Sequence, residues 1–277
     1  MPTFCASSDW VIPFSMVNAF LIDYTPEAAR AFGFACVFAL ITVLLFVGIT
    51  LLLGRILGFG PSEKGSLMFA NSAGMTLPLA SSLLGSTGVL LCAPHMGVQN
   101  ILIFTLLPYI MGGQMRFDWK EILLNRNILS IGVGIVIFFF RIPLPGSLRE
   151  TVSVVGGMIA PLSMFMIGML MARANLRELL SKKKLYLVCA LRLTGYPLLL
   201  IAVIALSGIT RRAEYLRDIL LVLTMCVSSP AATLVTQMAT AHCSMEEAAH
   251  AGSLNVLTTI LSVITIPCMV FVFQSLC

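Results

Sequence analysis

The sequence has little charge. Of its 277 residues only 10% are Asp, Glu, Lys or Arg, while 58% are hydrophobic, and its mean hydropathy is +1.00. A water-soluble domain of this length could not bury so much apolar surface. Carboxylates are missing where they would be costly. Asp9, Asp23, Glu27, Glu63, Asp118, Glu121, Glu150, Glu178, Glu214, Asp218, Glu246 and Glu247 all fall at the ends of apolar stretches or between them. A proton or sodium relay built on buried acids therefore has no support. The chain has no HExxH motif, no P-loop and no clustered Cys/His set, and no connection is long enough for a nucleotide-binding domain. It is not read as an enzyme or an ATP-driven pump, and no cofactor or metal is expected. Its eight cysteines include no CxxC pair and are expected to pack as small apolar residues. The N-terminus lacks a basic n-region, and Pro13 and Asn18 interrupt its apolar stretch, so no signal peptide is expected. The net charge of +5 is distributed between apolar segments and is no footprint for nucleic acid.

What is present is a series of uncharged runs. Nine apolar segments are expected, at 9–23, 31–54, 65–85, 88–112, 127–147, 151–172, 184–208, 215–241 and 247–275. A helix needs about 20 apolar residues to cross a bilayer, so the first, short segment is doubtful as a full span. Gly65 to Met115 carries no charge apart from His95 and must fold back to make two spans. A transmembrane barrel would show short alternating segments instead. The fold class is thus an all-α polytopic membrane protein. The polar loop 113–126 separates a first helical repeat, 1–112, from a second, 127–277. Connections after even segments carry Arg55 and Lys64, then Arg116, Lys120 and Arg126, then Arg173, Arg177, Lys182, Lys183 and Lys184. The other side carries Arg30, Arg141, Arg149, Arg211, Arg212 and Arg217. The excess of positive charge places the 113–126 and 173–184 loops in the cytoplasm, for a multi-pass protein of the cytoplasmic (inner) membrane. The run Lys182-Lys183-Lys184 reads as an interfacial anchor.

Two apolar segments are broken by proline in corresponding places, Asn71-Ser72-Ala73-Gly74-Met75-Thr76-Leu77-Pro78 and Cys226-Val227-Ser228-Ser229-Pro230. Each is followed by G-x-x-N-[IV]-L, first at Gly97–Leu102 with Asn100, then at Gly252–Leu257 with Asn255. Pro13-Phe14-Ser15-Met16 resembles Pro161-Leu162-Ser163-Met164. The three matches recur in one order at nearly constant offset, which argues for two homologous halves. Five segments separate Pro13 from Pro161. An odd number inverts the second copy, so the expected architecture is an inverted repeat of five-helix units with two proline-broken crossover helices. A five-segment unit would need one more helix before residue 9, so the first copy is expected to be incomplete in this sequence.

Broken helices in a membrane mark a binding site, because freed carbonyls are tolerated only inside protein or at a water-filled cavity. Paired half-helix ends offer N–H groups and positive dipole ends suited to an anion. The candidate substrate-binding residues are Asn71, Ser72, Gly74, Pro78, Ser228, Ser229 and Pro230. Arg192 joins them as the one basic residue well inside a span, with snorkelling to the interface as the competing reading. Asn71 could bind a carboxylate without a buried charge. Asn100, Gln237 and Asn255 are secondary candidates, and tying helices together is the competing role for both Asn100 and Asn255. His95 and His250 titrate near neutral pH in principle. Both lie near segment starts, where solvated rings are expected.

The stretch Phe69–Leu79 resembles the N-x-G-[FM]-x-x-[LI]-P-L core of the auxin efflux carrier family. Asn127 through Pro145, with Gly132 and Ile142-Pro143-Leu144-Pro145, is similar to that family's sixth helix. Gly157–Gly168 is similar to its seventh, and the tail with Pro230, Glu246, Thr258 and Pro267 to its ninth and tenth. The family includes bacterial permeases for malate-like carboxylates and the plant auxin exporters. The resemblance implies ten helices, crossing broken fourth and ninth helices at the substrate site, and an elevator-like movement of a transport domain against a scaffold. It puts Asn71, Pro78 and Pro230 at the crossover and Arg192 at the family's eighth-helix arginine, and it implies a homodimer. The chain departs from the pattern at its N-terminus, where the first helix is absent. The expected function is secondary active or facilitative transport of a small organic anion, malate-, malonate- or auxin-like. Its partners are that anion and the lipid bilayer, with no nucleic acid. The alternative is a non-transporting receptor or scaffold that keeps the carrier fold.

Overall fold

The computed structural model describes residues 11, 13–21, 25–112, 124, 126–158, 162, 183–211 and 214–277. Pro161, Ser163 and Met164 of the repeated tetrapeptide, nearly all of the 113–126 connection, the far part of the 151–172 segment and the 173–182 part of the second cytoplasmic loop lie outside these residues, as does the stretch up to Trp10. The described residues are almost entirely helical. Helix α1 (Pro26–Ile56) begins one turn before its apolar run. Thr25 caps it, its Oγ1 accepting the Ala28 N–H at 3.1 Å, and Pro26 sits in the first turn where its missing donor costs nothing. It buries Phe32, Ala35, Ala39, Val43, Phe46 and Thr50 at helical spacing. Its opposite face exposes Leu40, Ile41, Leu44, Leu45 and Leu52. An apolar outer face on a helix 31 residues long fits a lipid environment.

The expected span 65–85 is built from two pieces. Helix α2 (Pro61–Met68) stops at Phe69, which is extended (φ −111°, ψ 126°). The chain resumes as a wide π turn at Ser72–Thr76 and continues as α3 (Leu77–Ile110). The break is therefore at Phe69–Asn71, upstream of the small residues and of Pro78. Pro78 occupies the first turn of α3. The Leu77 N–H reaches the Ser72 carbonyl in an i→i+5 bond, and this wider ring accommodates a following residue that has no donor. The same device recurs after α6 (Lys183–Ala190). A π turn at Leu191–Gly195 precedes α7 (Tyr196–Ser207), with Pro197 in its first turn.

Helix α3 is two arms joined at Gly85, whose backbone lies at φ 60°, ψ −145°. A Cβ on Gly88 would come within 2.3 Å of the Ala80 carbonyl oxygen. In a straight helix those residues would be about 12 Å apart along the axis, so the chain turns back on itself here. This is the fold-back that the uncharged stretch 65–115 requires.

Helix α4 (Arg126–Phe140) ends at Arg141, in the left-handed region at φ 52°, and α5 (Gly146–Gly157) follows. Helix α8 (Glu214–Val227) gives way to an irregular stretch through Ala232, followed by α9 (Thr233–His242). Ser244 caps the last helix, α10 (Met245–Leu276), which carries Glu246 and Glu247 in its first turn. Among the described residues, four helical stretches are by length and composition apolar enough to cross a membrane: Pro26–Ile56, Ser72–Ile110 with its corner at Gly85, Lys184–Ser207 and Met245–Leu276. The core gathers Leu77, Leu90 and Cys92 of α3 with Val222, Met225 and Cys226 of α8 and Leu254 of α10. Phe46 of α1 stacks on Tyr196 of α7 at 4.7 Å. Thr50 Oγ1 donates to the Phe46 carbonyl, so the Tyr196 hydroxyl, 2.7 Å away, is its donor.

Candidate functional site

The two breaks meet. Ala70 and Ala231 form an isolated antiparallel bridge. The Asn71 N–H donates to the Pro230 carbonyl at 2.8 Å, and the Ala232 N–H donates to the Phe69 carbonyl at 3.0 Å. The partner of Pro230 in the crossing is thus Asn71, and Pro78 lies further along the first segment. In this arrangement the polar groups of Ala70 and Ala231 point away from each other, and side chains from the two G-x-x-N signatures meet them. Gln99 Oε1 accepts the Ala70 N–H at 3.2 Å. Thr258 Oγ1 accepts the Ala231 N–H at 3.1 Å, and Asn255 Nδ2 donates to the Ala231 carbonyl at 2.8 Å. Asn100 is buried, and its Nδ2 has no partner among the described residues.

The carbonyls freed at the end of α8 are also partnered. Ser229 N–H bonds to Cys226 rather than to Met225. The Met225 carbonyl instead receives the hydroxyls of Thr76 and Ser229, each at 3.2 Å. Those two hydroxyls also contact each other directly. The Thr224 carbonyl takes both the N–H and the hydroxyl of Ser228.

Arg192 sits on the second π turn and is 2% exposed. It does not snorkel. Its Nε donates to the Ser229 carbonyl at 3.1 Å and its Nη1 to the Leu67 carbonyl at 2.9 Å, so a single side chain clasps both breaks. Among the described residues its buried Nη2 has no hydrogen-bond partner and no carboxylate pairs with it. Asn71 is half-buried and folds over the start of the second piece, its Oδ1 accepting the Gly74 N–H at 3.2 Å. Ser72, Gly74, Pro78, Ser228, Ser229 and Pro230 are all buried around the crossing. Gln237 is exposed on α9 and does not join them.

Near the start of its apolar segment, His95 is expected to be solvated. Instead it is 2% exposed, because the corner at Gly85 starts its arm about 15 Å earlier at 1.5 Å per residue. His95 Nδ1 lies 3.4 Å from Ser72 Oγ. Cys226 of α8 faces the same ring and lies 3.6 Å from Cys92, sulfur to sulfur. The seven described cysteines are free thiols; Cys92, Cys189 and Cys226 are buried as expected, whereas Cys268 is exposed. Sequence reasoning also passed over Gln99 and Thr76, whose only signal was a polar side chain at a helical position beside a break.

A second polar cluster ties the base of the first broken segment to α10. Glu63 is buried. Its Oε2 accepts the Gly60 N–H at 2.7 Å, and its Oε1 lies 3.3 Å from His250 Nε2. Ser62 Oγ donates to the Glu247 carbonyl at 2.9 Å. Burial pushes the Glu63 carboxyl up, but the hydrogen bonds from His250 and Gly60, with the charges of His250 and Lys184, outweigh it and hold the group below its ordinary value. His250 is thus partnered and only half-exposed, not a free solvated ring.

A family model described as "Membrane transport protein" matches residues 113–271, more than half of the chain. The chain belongs to this membrane transport protein family, that of the auxin efflux carriers. No curated protein showed a match. The match spans Arg192, the second break and most of α10. With the family, the apolar helices mark a multi-pass membrane transporter.

Proposed function

We propose that this family member carries a small organic carboxylate, malate-, malonate- or auxin-like, across the cytoplasmic membrane as a secondary active or facilitative transporter. The observation that carries the reading is the Arg192 Nη2 group beside the crossing, a buried guanidinium donor without a partner among the described residues. Burying an uncompensated charge costs several kcal/mol, and an incoming carboxylate would supply the missing acceptor. Asn71, Ser72 and Gly74 at the start of one half-helix would supply the positive dipole end of an anion pocket, and Ser228, Ser229 and Pro230, beyond the carbonyl end of α8, would line it. Asn100, with its unpartnered Nδ2, is the further candidate donor. The two G-x-x-N signatures holding opposite breaks support an inverted repeat, and an elevator-type exchange of access accompanies that reading by family resemblance.

Uptake of radiolabelled malate, malonate and indole acetate into proteoliposomes tests it. Saturable flux of at least one is expected, with Asn71→Ala reducing it about tenfold, the equivalent of 1.4 kcal/mol, while insertion is unchanged. No flux of any of the three sinks the carboxylate reading. Ligand-induced thermal stabilisation without flux would identify a receptor instead.

A further inference from the structure

The spans carry one buried imidazole that the proposed anion pocket does not use. His95 lies on the returning arm of α3, 2% exposed, with Nδ1 3.4 Å from the hydroxyl of Ser72. Ser72 is the first residue of the half-helix that opens at the crossing. The ring is therefore next to the pocket, on the helix whose Gln99 holds the first break. We propose that His95 is the proton-binding group of the transport cycle, taking up one proton per substrate anion at the crossover. This rests on the carboxylate reading above and names its coupling ion.

The chemistry follows from what surrounds the ring. Acidic residues in this sequence are confined to segment ends, so a proton carried through the middle of the bundle needs a base of another kind. Imidazole is the side chain that accepts a proton at neutral pH. Among the described residues the titratable group facing it is the Cys226 thiol from α8, which in turn contacts the Cys92 thiol one turn earlier on the helix of His95. The other elements packed on α3 hold their charges toward their ends: Glu27, Arg30 and Arg55 on α1, Glu63 and Lys64 on α2, Arg126 on α4 and His242 on α9. The first turns of α8 carry Glu214, Arg217 and Asp218, far along the helix from Cys226. Arg192 reaches the crossing through the Ser229 carbonyl. With no carboxylate of the protein itself against His95 among the described residues, the counter-charge for an imidazolium is the substrate anion. Anion and proton then favour each other's binding, and by linkage the coupling is reciprocal. Ser72 Oγ can accept from a protonated ring or donate to a neutral one, so it partners both states.

Two measurements test the assignment. In the first, ¹⁵N-histidine NMR of the purified full-length protein in nanodiscs follows the imidazoles of His95, His242 and His250 from pH 5 to pH 8, with single His→Gln variants for assignment. Titration of the His95 ring in this range is expected. A ring that stays in one tautomer throughout overturns the proposal, whatever the substrate is. The second compares malonate uptake driven by an imposed pH gradient with malonate exchange at equal pH on both sides. One coupled proton allows about tenfold accumulation per pH unit, since one unit is 1.36 kcal/mol. The ratio of gradient-driven to exchange flux is expected to exceed one in the wild type and to fall to one in His95→Gln. An unchanged ratio in that variant overturns the proposal. If the wild type neither exchanges nor accumulates malonate, the failure falls on the carboxylate reading, and the NMR titration decides His95 alone.

Discussion

The N–H of Asn71 donates to the carbonyl of Pro230 at 2.8 Å. Two segments far apart in sequence therefore share one strand-like contact in the middle of a helical bundle. A contact of this kind leaves outward-facing peptide groups that side chains must complete.

Removing the completing groups should loosen the crossing. Thr258→Val deletes the acceptor of the Ala231 N–H, and Asn255→Leu deletes the donor to its carbonyl. Each leaves a buried peptide group unpaired, at a cost of about 1–3 kcal/mol. Thermal unfolding in detergent should shift down for both, and hydrogen exchange at the Ala231 amide should accelerate in Thr258→Val. Unchanged exchange there would refute the role given to Thr258.

Arg192 is a clasp as well as a candidate anion ligand, and substitutions separate the two. Arg192→Met abandons the Leu67 and Ser229 carbonyls together and should lower the melting temperature sharply. Arg192→Lys keeps the charge but lacks the planar fork that serves two carbonyls while leaving a third nitrogen free. It should melt between the wild type and Arg192→Met. A Met variant as stable as the wild type would show that the clasp contributes nothing.

The Glu63 carboxyl is held below its ordinary value, so its contribution has a definite sign. It is present above the unfolded-state value of about 4.3 and is lost as pH falls through the lower folded value. Melting temperature measured from pH 7 down to pH 3 should fall along this limb in the wild type. In Glu63→Gln it should be lower at pH 7, by roughly 1–3 kcal/mol of stability, and flatter in acid. Parallel profiles for the two proteins would contradict the pairing with His250.

Two glycines on the same arm should behave oppositely. Gly88→Ala drives a methyl into the Ala80 carbonyl at 2.3 Å, whereas a methyl on Gly97 meets nothing nearer than Ile131 Cδ1 at 3.9 Å. Gly88→Ala should cost about 1–3 kcal/mol or more by overpacking, and Gly97→Ala should be near neutral. The yield of monodisperse protein and its melting temperature read both.

Much of this was legible in the residues. Pro230 marks its own break because a proline cannot donate. The uncharged stretch around Gly85 is too long for one crossing, and Arg192 stands out as a cation inside an apolar run. Other features depend on helix rotation, which periodicity fixes poorly when nearly every position is apolar. Gln99 and Asn100 are neighbours, and the repeated pattern points to Asn100, yet Gln99 is the one turned to the Ala70 N–H. Pro78 looks like a break but starts a helix, because the π turn before it moves the irregular residues upstream to Phe69–Asn71. Hydropathy puts His95 near a segment edge, while the sharp corner at Gly85 carries it inside.

The clasp also sets an order on biosynthesis. The first half leaves the ribosome with the Leu67 and Phe69 carbonyls and the Asn71 N–H unanswered. Their partners, Arg192, Ala232 and Pro230, are not yet made. Until those residues emerge, the nascent first half must keep these groups hydrated or screened by the insertion machinery. The crossing is therefore one of the last things the chain can build, and an arrest of translation before Arg192 should strand a half-protein that is inserted but not closed.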